Sequence, residues 1–366
     1  MYHPSSSDPD VCIAGAGIIG LSLALELHHR GHRVAVLDQS MPLAEASSAA
    51  AGMLAAGDPH NPPALRPLAD LSLKLYPDYL DRLYSLSGIQ VPFQTHTTLQ
   101  ALPSGILSSD TGTDSRLTLE DLAHLLPALA SGNHTFTLLD EYSLDPRQLA
   151  TALLAAVNAT TIDLRTNTSV STTRSRDTII EVQTPAGILH TSRFIDCTGA
   201  WATTTSALSN IKVVPRKGQM LSVVLPPSLP LNIVVRTSDI YIVPRISGPN
   251  AGRAIIGATI EDAGFDKIVH PSDIVRLRSR ADALLPPLAD AAQLEAWAGL
   301  RPATPDGLPL LGALPTQPNH FLATGHFRDG ILLAPATAHV IAQLVSGESP
   351  AIDLAPFSPS RIEIRG

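Results

Sequence analysis

Hydrophobic residues near the start of the chain form two short runs joined by a helical stretch. Val11-Cys12-Ile13-Ala14 is a continuous apolar run of the kind that is buried inside a parallel sheet. A glycine-rich turn and an apolar helix follow as far as Arg30-Gly31, and a second apolar run, residues 33–37, ends at Asp38. Strand, turn, helix and strand in this order predict a βαβ unit.

Apolar residues that recur with the period of a helix, about 3.6 residues, or of a strand, about two residues, predict elements further along the chain. Helices are expected over residues 64–86 with an interruption near Pro77, over 146–158, near 272–286 and from Gly330 to about Val345. Strands are expected over residues 194–200, 213–225, 240–245 and 254–260. The segment 93–139 is polar with little periodicity, so neither a helix nor a strand is predicted there. Apolar βα-type segments at the start, middle and end, with β-rich material between them, predict an α/β protein of two interleaved domains.

Composition and charge exclude several classes of function. The chain has 366 residues, which suggests about two domains, and a formal net charge of −8 without a Lys/Arg block. This balance argues against a nucleic-acid partner or an anionic membrane surface. No window suits a membrane helix, and the residues before position 11 include Asp8 and Asp10 but no Lys or Arg, unlike a secretory signal. We therefore expect a cytoplasmic protein.

Cysteine usage predicts neither a disulfide nor a metal site. Cys12 and Cys197 both lie in apolar runs, where small buried thiols are expected. No Cys-x-x-Cys or His-Glu-x-x-His pattern occurs. We expect no bound metal.

The turn after the first apolar run reads Gly15-x-Gly17-x-x-Gly20, which is typical of dinucleotide binding. Gly15 permits the tight turn, Gly17 lets the backbone approach a pyrophosphate, and Gly20 lets helix and strand pack closely. Asp38 follows Gly20 by 18 residues, a position that suits a ribose hydroxyl and disfavours NADP. An ordinary turn without a nucleotide is the alternative.

A stretch of small residues, 46–56, follows the predicted βαβ unit. Such side chains suit close packing against a flat ligand. An alanine-rich helix is the alternative, although Gly52 in its interior counts against it.

Motifs spread over nearly the whole chain carry a family resemblance. The most specific are Ser-Ala-Ala-Ala-Gly-Met-Leu at 48–54, Trp-Ala-Gly-Leu-Arg-Pro at 297–302 and Gly-His-Phe-Arg-x-Gly-Ile-Leu-Leu-Ala-Pro-Ala-Thr at 325–337. With them the chain resembles the glycine oxidase branch of the D-amino acid oxidase superfamily, flavoenzymes that include the thiamine-pathway oxidase. The resemblance implies a Rossmann-like FAD-binding domain interleaved with a smaller α+β substrate domain built on an antiparallel sheet. The expected FAD-binding segments are 9–92, 140–214 and 298–350, and the expected substrate segments are 93–139 and 215–297.

The resemblance also implies non-covalent FAD, because no cysteine follows Cys197 to form a cysteinyl link. It assigns cofactor binding to Gly15, Gly17, Ile18, Ile19, Gly20, Asp38, Gln39, Ala46, Ser47, Ala51, Gly52, Met53, Val170, His326, Phe327, Arg328, Asp329, Gly330, Ile331 and Leu332. In this arrangement Asp38 holds the adenosine ribose, and residues 326–332 lie against the isoalloxazine. The helix that begins at Gly330 then directs its positive end at the flavin N1/C2=O edge, where the reduced ring carries negative charge.

For the substrate, the resemblance assigns three residues to catalysis. Arg301 binds the substrate carboxylate as a bidentate fork, Tyr241 adds a hydroxyl to the same group, and Arg328 helps to close the site. From the residues alone, a structural ion pair for Arg301 and a solvated loop charge for Arg328 are favoured over these roles. His326 could be a general base, but we favour a role in packing or hydrogen bonding to the flavin.

The implied reaction is the oxidation of glycine or a small amine-bearing acid such as sarcosine or D-alanine. Hydride passes from Cα to flavin N5, and molecular oxygen is the acceptor, giving the oxo acid, ammonia and hydrogen peroxide. Alternatives are a D-amino acid dehydrogenase with another acceptor, a flavin domain acting on tRNA, which the net charge disfavours, and a flavoprotein without activity. Ile260 and residues 238–240 depart from the family pattern at the substrate end, so the preferred side chain stays open. A homo-oligomer is compatible with the sequence.

Overall fold

The computed structural model describes residues 8–102, 116–176, 178–204 and 213–362. The helices in chain order are α1 (Ile18–His29), α2 (Ala46–Ala49), α3 (Arg66–Ser87), α4 (Leu119–Leu125), α5 (Pro146–Asn158), α6 (Pro271–Leu284) and α7 (Gly330–Val345). The strands are β1 (Val11–Ala14), β2 (Val34–Leu37), β3 (Met53–Leu54), β4 (Phe93–Thr95), β5 (Thr98–Ala101), β6 (Phe136–Leu139), β7 (Tyr142–Leu144), β8 (Asp163–Arg165), β9 (Thr172–Arg176), β10 (Ile179–Thr184), β11 (Gly187–Thr191), β12 (Arg193–Asp196), β13 (Val214–Val224), β14 (Val234–Arg236), β15 (Tyr241–Arg245), β16 (Arg253–Gly257), β17 (Gln293–Ala303), β18 (Leu310–Leu314) and β19 (Gln317–Thr324). Within these described ranges, no helix combines the length and apolarity needed to cross a membrane.

The first large sheet has six strands in the order β18-β19-β12-β1-β2-β8. Its central strand β1 runs parallel to β2 and β12, which confirms the predicted βαβ unit. Side chains of β1 alternate between two cores because successive residues of a strand point to opposite faces. Val11 and Ile13 pack with helices α1 and α7, whereas Cys12 and Ala14 pack with β10 of a three-stranded sheet formed by β9, β10 and β11.

The second large sheet has seven strands in the order β17-β13-β16-β15-β14-β5-β6, and all its pairs except β14 with β5 are antiparallel. One face packs on α6 through residues such as Leu221, Ile256 and Leu277. The opposite face carries Met220 and Tyr241, both of which line a cavity between the two sheets. The strand β17 belongs to this sheet as far as Ala303. The division of the chain into five domain segments stays a prediction.

Helix α3 continues through Pro77, so the interruption predicted there was wrong. A proline within a helix removes one backbone donor and leaves one carbonyl without its partner. Pro77 lies on the exposed side of α3, where water can bond to that carbonyl. The buried side, with Leu68, Tyr76 and Leu83, stays packed in the core and holds the helix together.

The segment 93–139 contains regular structure that its sequence did not predict. Strands β4, β5 and β6 and helix α4 lie in it, and β5 and β6 complete one edge of the second sheet. Thr118 and Asp121 form a reciprocal capping box at the start of α4. Residues 103–115 of this segment lie outside the described residues. These strands are three or four residues long and include polar residues, so neither a period nor a continuous apolar run marks them in the sequence.

Candidate active site

A cavity of about 440 Å³ lies between the two large sheets. Its wall on one side comes from the turn after β1, the end of β2, α2 and the start of α7. Its wall on the other side comes from β13, β15 and β17. Ligands of open α/β sheets bind outside the carboxyl ends of the parallel strands, which is where this cavity meets the first sheet.

The three motif glycines differ in the space around them. Gly15 has φ +99°, and a Cβ built there would lie 2.4 Å from the carbonyl oxygen of Cys197. A Cβ on Gly20 would lie 1.9 Å from the carbonyl oxygen of Gly15, so Gly20 allows α1 to approach the turn. At Gly17 the nearest atom would be Ser47 Oγ at 3.4 Å. The backbone at Gly17 therefore stays open to the cavity.

Two side chains fix the turn from outside it. Asp38 Oδ2 accepts a hydrogen bond of 2.7 Å from the Ala16 amide, which places the carboxylate against the glycine turn. Ser47 Oγ accepts a bond of 2.9 Å from the Ile18 amide at the start of α1. Helix N-termini carry unsatisfied N–H groups and a positive partial charge, so this end of α1 suits phosphates.

Small residues allow α2 to lie directly on the second sheet. A Cβ on Gly299 of β17 would lie 2.6 Å from the Cβ of Ala49. Trp297 Nε1 donates to the Ala49 carbonyl at 3.0 Å, and Arg245 Nη2 donates to the Ala51 carbonyl at 2.8 Å. The stretch 46–56 forms the four-residue α2 followed by β3, so the alternative of one alanine-rich helix is wrong. The predicted packing of these small residues against a flat ligand stays a prediction.

Arg301 and Tyr241 meet in the cavity, and two glycines make the space for them. A Cβ on Gly218 would lie 2.2 Å from Arg301 Nη1, and one on Gly257 would lie 2.6 Å from the Tyr241 hydroxyl oxygen. Arg301 Nη1 also donates to the Thr259 carbonyl at 3.1 Å. Burial raises the pKa of Tyr241, against the opposing effect of Arg301, which hydrogen-bonds the phenol oxygen. The phenol is therefore protonated at neutral pH.

The start of α7 forms another part of the wall, with Gly330 and Ile331 facing the cavity. Behind it, His326 Nε2 lies 3.0 Å from Thr337 Oγ1, and burial lowers the pKa of His326 to about 3. His326 is therefore neutral, which matches a packing or hydrogen-bonding role and not that of a general base. The next acid, Asp329, is buried, and burial raises its pKa to about 7 against the effect of Arg328.

Sequence reasoning missed a cluster of charged residues on the cavity wall. Arg236 lies 3.0 Å from Glu141 Oε2 and 3.9 Å from Asp58 Oδ2. Arg328 Nη2 lies 3.6 Å from Asp58 Oδ2 and donates to Asn61 Oδ1 at 3.1 Å. Although burial acts to raise it, the two arginines lower the pKa of Asp58. The sequence did contain one signal for this cluster. Arg236 ends the β-branched run of β14, and an arginine in a buried strand requires an acidic or polar partner.

The cavity wall contains nearly all the site residues that the sequence predicted. Those that line it are Gly15, Gly17, Ile18, Ile19, Asp38, Gln39, Ala46, Ser47, Ala51, Gly52, Met53, Val170, Tyr241, Arg301, His326, Phe327, Arg328, Asp329, Gly330 and Ile331. Gly20 lies beneath the turn, and Leu332 faces the core with its carbonyl accepting from Ser72 Oγ at 2.6 Å, so neither lines it. Individual contacts of these residues with cofactor or substrate stay predictions.

Comparisons with known proteins agree with this geometry. The family described as "DAO: FAD dependent oxidoreductase" matches residues 10–344. The bifunctional protein ThiO/ThiG of Trichormus variabilis is 36% identical over 97% of this chain, which spans about half (55%) of that relative's length. The glycine oxidase of Geobacillus kaustophilus is 32% identical over 96% of this chain and 97% of its own. A crystal structure of glycine oxidase from the same organism superposes with a TM-score of 0.89, covering 97% of this chain and 99% of that one.

Proposed function

The chain belongs to the DAO family of FAD-dependent oxidoreductases, and from this premise we propose that it oxidises glycine or another small amine-bearing acid. Sarcosine and D-alanine are the other substrates of this size that we include. After hydrolysis of the imine, the products are the oxo acid and ammonia, or the oxo acid and methylamine when the substrate is sarcosine. The pairing of Arg301 with Tyr241 in the cavity carries this proposal, because it offers a cation and a phenol to one carboxylate.

FAD is the cofactor of the family; when bound, it takes a hydride equivalent from the substrate and passes the electrons to an acceptor. The residues present fit such a group. The open backbone at Gly17 and the N-terminal end of α1 suit a pyrophosphate, and Asp38 suits a ribose hydroxyl. The flat wall of α2 leaves room for a ring. We propose non-covalent binding, since burial raises the pKa of Cys197, the thiol that lines the cavity, well above its usual value.

Arg301 and Tyr241 bind and orient the substrate in this proposal. A guanidinium presents two parallel N–H donors that match the two oxygens of a carboxylate. The phenol of Tyr241 is protonated at neutral pH and can donate to the same group. Fixing the carboxylate fixes the position of Cα, which turns an encounter of two molecules into an oriented reaction.

The amine reaches the reaction in its neutral form. His326 cannot take a proton from it near neutral pH, because burial keeps the pKa of that imidazole at about 3. Transfer of a substrate ammonium from water into a cavity walled by apolar and paired groups favours loss of its proton. We therefore assign amine deprotonation to desolvation and to no dedicated base.

Molecular oxygen is the acceptor in the main proposal, so hydrogen peroxide is the second product. A D-amino acid dehydrogenase that passes electrons to a quinone is the alternative. A cytoplasmic location, a place in the thiamine pathway and a homo-oligomeric state are further parts of the proposal that rest on the sequence and the resemblance.

Anaerobic mixing of the purified flavoprotein with glycine, sarcosine, D-alanine and L-alanine tests the proposal. We expect the first three to bleach the flavin absorbance and L-alanine to leave it unchanged, because its exchanged substituents turn the Cα hydrogen away. Admission of air should restore the absorbance and release peroxide, whereas a dehydrogenase would recover only with an added quinone. A flavin that none of these amino acids reduces would contradict the proposal.

A further inference from the structure

The Thr259 carbonyl, which accepts a bond of 3.1 Å from Arg301 Nη1, belongs to a segment that follows β16 and pairs with β13. In an antiparallel sheet, the two residues of a hydrogen-bonded pair exchange two bonds, and each amide donates to the other residue's carbonyl. Lys217 and Glu261 form such a pair, with bonds of 3.0 Å and 2.9 Å. The neighbouring pair of this register, two residues away on each side, is Gln219 with Thr259.

This second pair has one ordinary bond and one that differs from the pattern. The Thr259 amide donates to the Gln219 carbonyl at 3.3 Å, as the pattern requires. The Gln219 amide donates at 2.8 Å to the side-chain oxygen of Thr259, Oγ1, where the pattern calls for the carbonyl. The hydroxyl therefore takes the place of the carbonyl in the pair, and the carbonyl accepts from Arg301 Nη1.

Glu261 fixes the direction of this hydroxyl. A threonine hydroxyl has one hydrogen to donate and two lone pairs with which to accept. Thr259 Oγ1 donates to Glu261 Oε1, so its lone pairs are available to the Gln219 amide. Glu261 is held in turn, because Gln219 Nε2 donates to its Oε1 at 2.9 Å and the ammonium of Lys217 lies 3.8 Å from its Oε2.

Loss of the Thr259 hydroxyl would change the partner of the Thr259 carbonyl. Gln219 and Thr259 are both buried, and a buried amide without an acceptor loses the free energy of its hydration. The acceptor that the strand pattern offers to the Gln219 amide is the Thr259 carbonyl, which would then be drawn away from Arg301. The guanidinium would lose one of the contacts that hold its plane and keep its hydrogen bond to the Tyr241 phenol.

We propose that Thr259 and Glu261 are positioning residues for the substrate carboxylate. The Thr259 hydroxyl, oriented by Glu261, occupies the Gln219 amide, so that the Thr259 carbonyl stays on Arg301 Nη1 and sets the plane of the guanidinium fork. Thr259 and Glu261 do not line the cavity, so both act through Arg301. This inference rests on the proposed function, because it takes the substrate carboxylate to lie on Arg301.

Thr259→Val tests the inference on the intact flavoprotein, because valine keeps the shape and branching of threonine without the hydroxyl. We expect KM for glycine to rise about tenfold, the range for one hydrogen bond to a charged group, with little change in kcat, since the carboxylate contact is the same before and during the reaction. The dissociation constant of acetate, a carboxylate without an amine, should rise by the same factor. It is read from the perturbation of the flavin absorbance. Thr259→Ser keeps the hydroxyl and should stay within about twofold of wild type.

Two comparisons separate positioning from general damage to the fold. Thr184→Val removes a buried hydroxyl that donates to the Gly187 carbonyl away from the cavity, so acetate binding should stay at the wild-type value. In an Arg301→Ala background, Thr259→Val should leave kcat/KM for glycine unchanged, because the guanidinium through which the hydroxyl acts is gone. A merely structural role would lower kcat/KM by the same factor in both backgrounds.

Equal binding of acetate to Thr259→Val and to wild type overturns the inference, as does an equal loss in Thr259→Ser or in the Arg301→Ala background. Thr259→Ala also lacks the hydroxyl and decides the matter by the same measurements if Thr259→Val does not fold. If glycine reduces the wild-type flavin while acetate binds both proteins alike, only this inference fails. If Thr259→Val weakens acetate binding but glycine does not reduce the wild-type flavin, only the proposed reaction fails. If acetate does not perturb the flavin and glycine does not reduce it, both fail.

Discussion

Gly218 and Gly257 show how residues without a side chain position two functional ones. Gly218 lies under the guanidinium of Arg301, and Gly257 lies under the phenol of Tyr241. Gly218 is in the interior of β13, where a glycine costs stability and usually marks a close approach of other atoms, and Gly257 is the last residue of β16. The second sheet therefore has no side chain at two points where the functional side chains lie against it.

Replacement of Arg301 tests its assigned contact with the substrate carboxylate. We expect Arg301→Ala to lower kcat/KM for glycine by roughly 30-fold to several thousand-fold while FAD stays bound, because a charge-assisted contact in a closed site contributes about 2–5 kcal/mol. Arg301→Lys should recover part of the loss, since an ammonium cannot form the fork. Arg216→Ala is the control, because Arg216 faces Arg301 in the strand register but pairs with Asp262. A wild-type kcat/KM in Arg301→Ala would refute the assignment.

Asp329 should make the protein less stable as the pH rises. Burial holds its folded-state pKa at about 7, whereas an unfolded aspartate has a pKa of about 3.9. Between these values the folded state keeps a proton that the unfolded state releases, so the free energy of unfolding falls with rising pH. Asn keeps the shape and the helix-cap preference without the charge. We expect Asp329→Asn to gain about 2–3 kcal/mol relative to wild type between about pH 5 and about pH 8.

Urea unfolding of the flavoprotein at both pH values measures this gain. Asp78→Asn on the exposed side of α3 is the control for the same substitution away from the cavity. A pH-independent effect of Asp329→Asn would mean that the Asp329 carboxyl is ionised throughout the range.

At this scale, nearly all the residues that the family resemblance assigned to the site lie on the cavity wall, and many of them come from short motifs that bring their own local geometry. The glycine turn and the 325–337 motif each place several residues on the wall without help from distant segments. Arg236, Asp58 and Glu141 could not be predicted in the same way. They meet only because β14, the loop before α3 and the loop before β7 are brought together by the fold.

Helix α7 depends on α3 at the turn that faces the cavity. Pro335 has no N–H, so it cannot donate to the carbonyl of Ile331 four residues earlier. The Tyr76 hydroxyl donates to that carbonyl instead. Ser72 Oγ lies between the next pair of backbone groups, where it accepts from the Ala336 amide and donates to the Leu332 carbonyl. Two hydroxyls of α3 thus complete the backbone bonding of the cavity end of α7.

Removal of one hydroxyl tests this dependence. We expect Tyr76→Phe to lower the free energy of unfolding by about 1–3 kcal/mol, because the Ile331 carbonyl is then buried without a donor. Tyr84→Phe on the same helix is the control, since Tyr84 is 55% exposed and its variant should stay within about 0.5 kcal/mol of wild type. Urea unfolding measures both, and equal effects of the two variants would contradict the bridging role.

Long periodic elements and short continuous apolar runs such as β1 and β2 were predictable, whereas short strands with polar residues were not. The helix α5 has the bounds that its period predicted, and α6 and α7 agree within two residues. The three-residue strand β14 and the strands of the segment 93–139 have no period to detect, and sheet pairing alone holds them in place. At Pro77 the opposite error occurred, since an interruption was predicted where the helix continues. The rule that a proline interrupts a helix was outweighed there by packing of the buried face of α3.

At the scale of the whole molecule, each large sheet collects strands from distant parts of the chain. The first contains β1, β2, β8, β12, β18 and β19, and the second contains strands from β5 to β17. The cavity has walls from both sheets, so a ligand in it contacts both cores. Loss of either core would therefore dismantle the site.

Binding of FAD should consequently stabilise the molecule as one unit. Free FAD at a hundred times its dissociation constant is expected to add about 2.7 kcal/mol to the free energy of unfolding. Thermal unfolding followed by circular dichroism and by flavin fluorescence should then give one coincident transition that rises with FAD concentration. Two separate transitions, only one of which moves with FAD, would show that the cavity couples to a single core.

Burial of the two cysteines determines which side chains hydrogen peroxide, a product of the proposed reaction, can oxidise. Burial raises the pKa of Cys12 to about 12 and that of Cys197, on the cavity wall, well above its usual value. Peroxide attacks thiolates, and neither thiol supplies one at neutral pH. The thioethers of Met53 and Met220 line the same cavity and require no deprotonation to be oxidised. Under the proposed oxidase activity, we therefore expect oxidative damage during repeated turnover to begin as methionine sulfoxide in the cavity, where hydrogen peroxide is released.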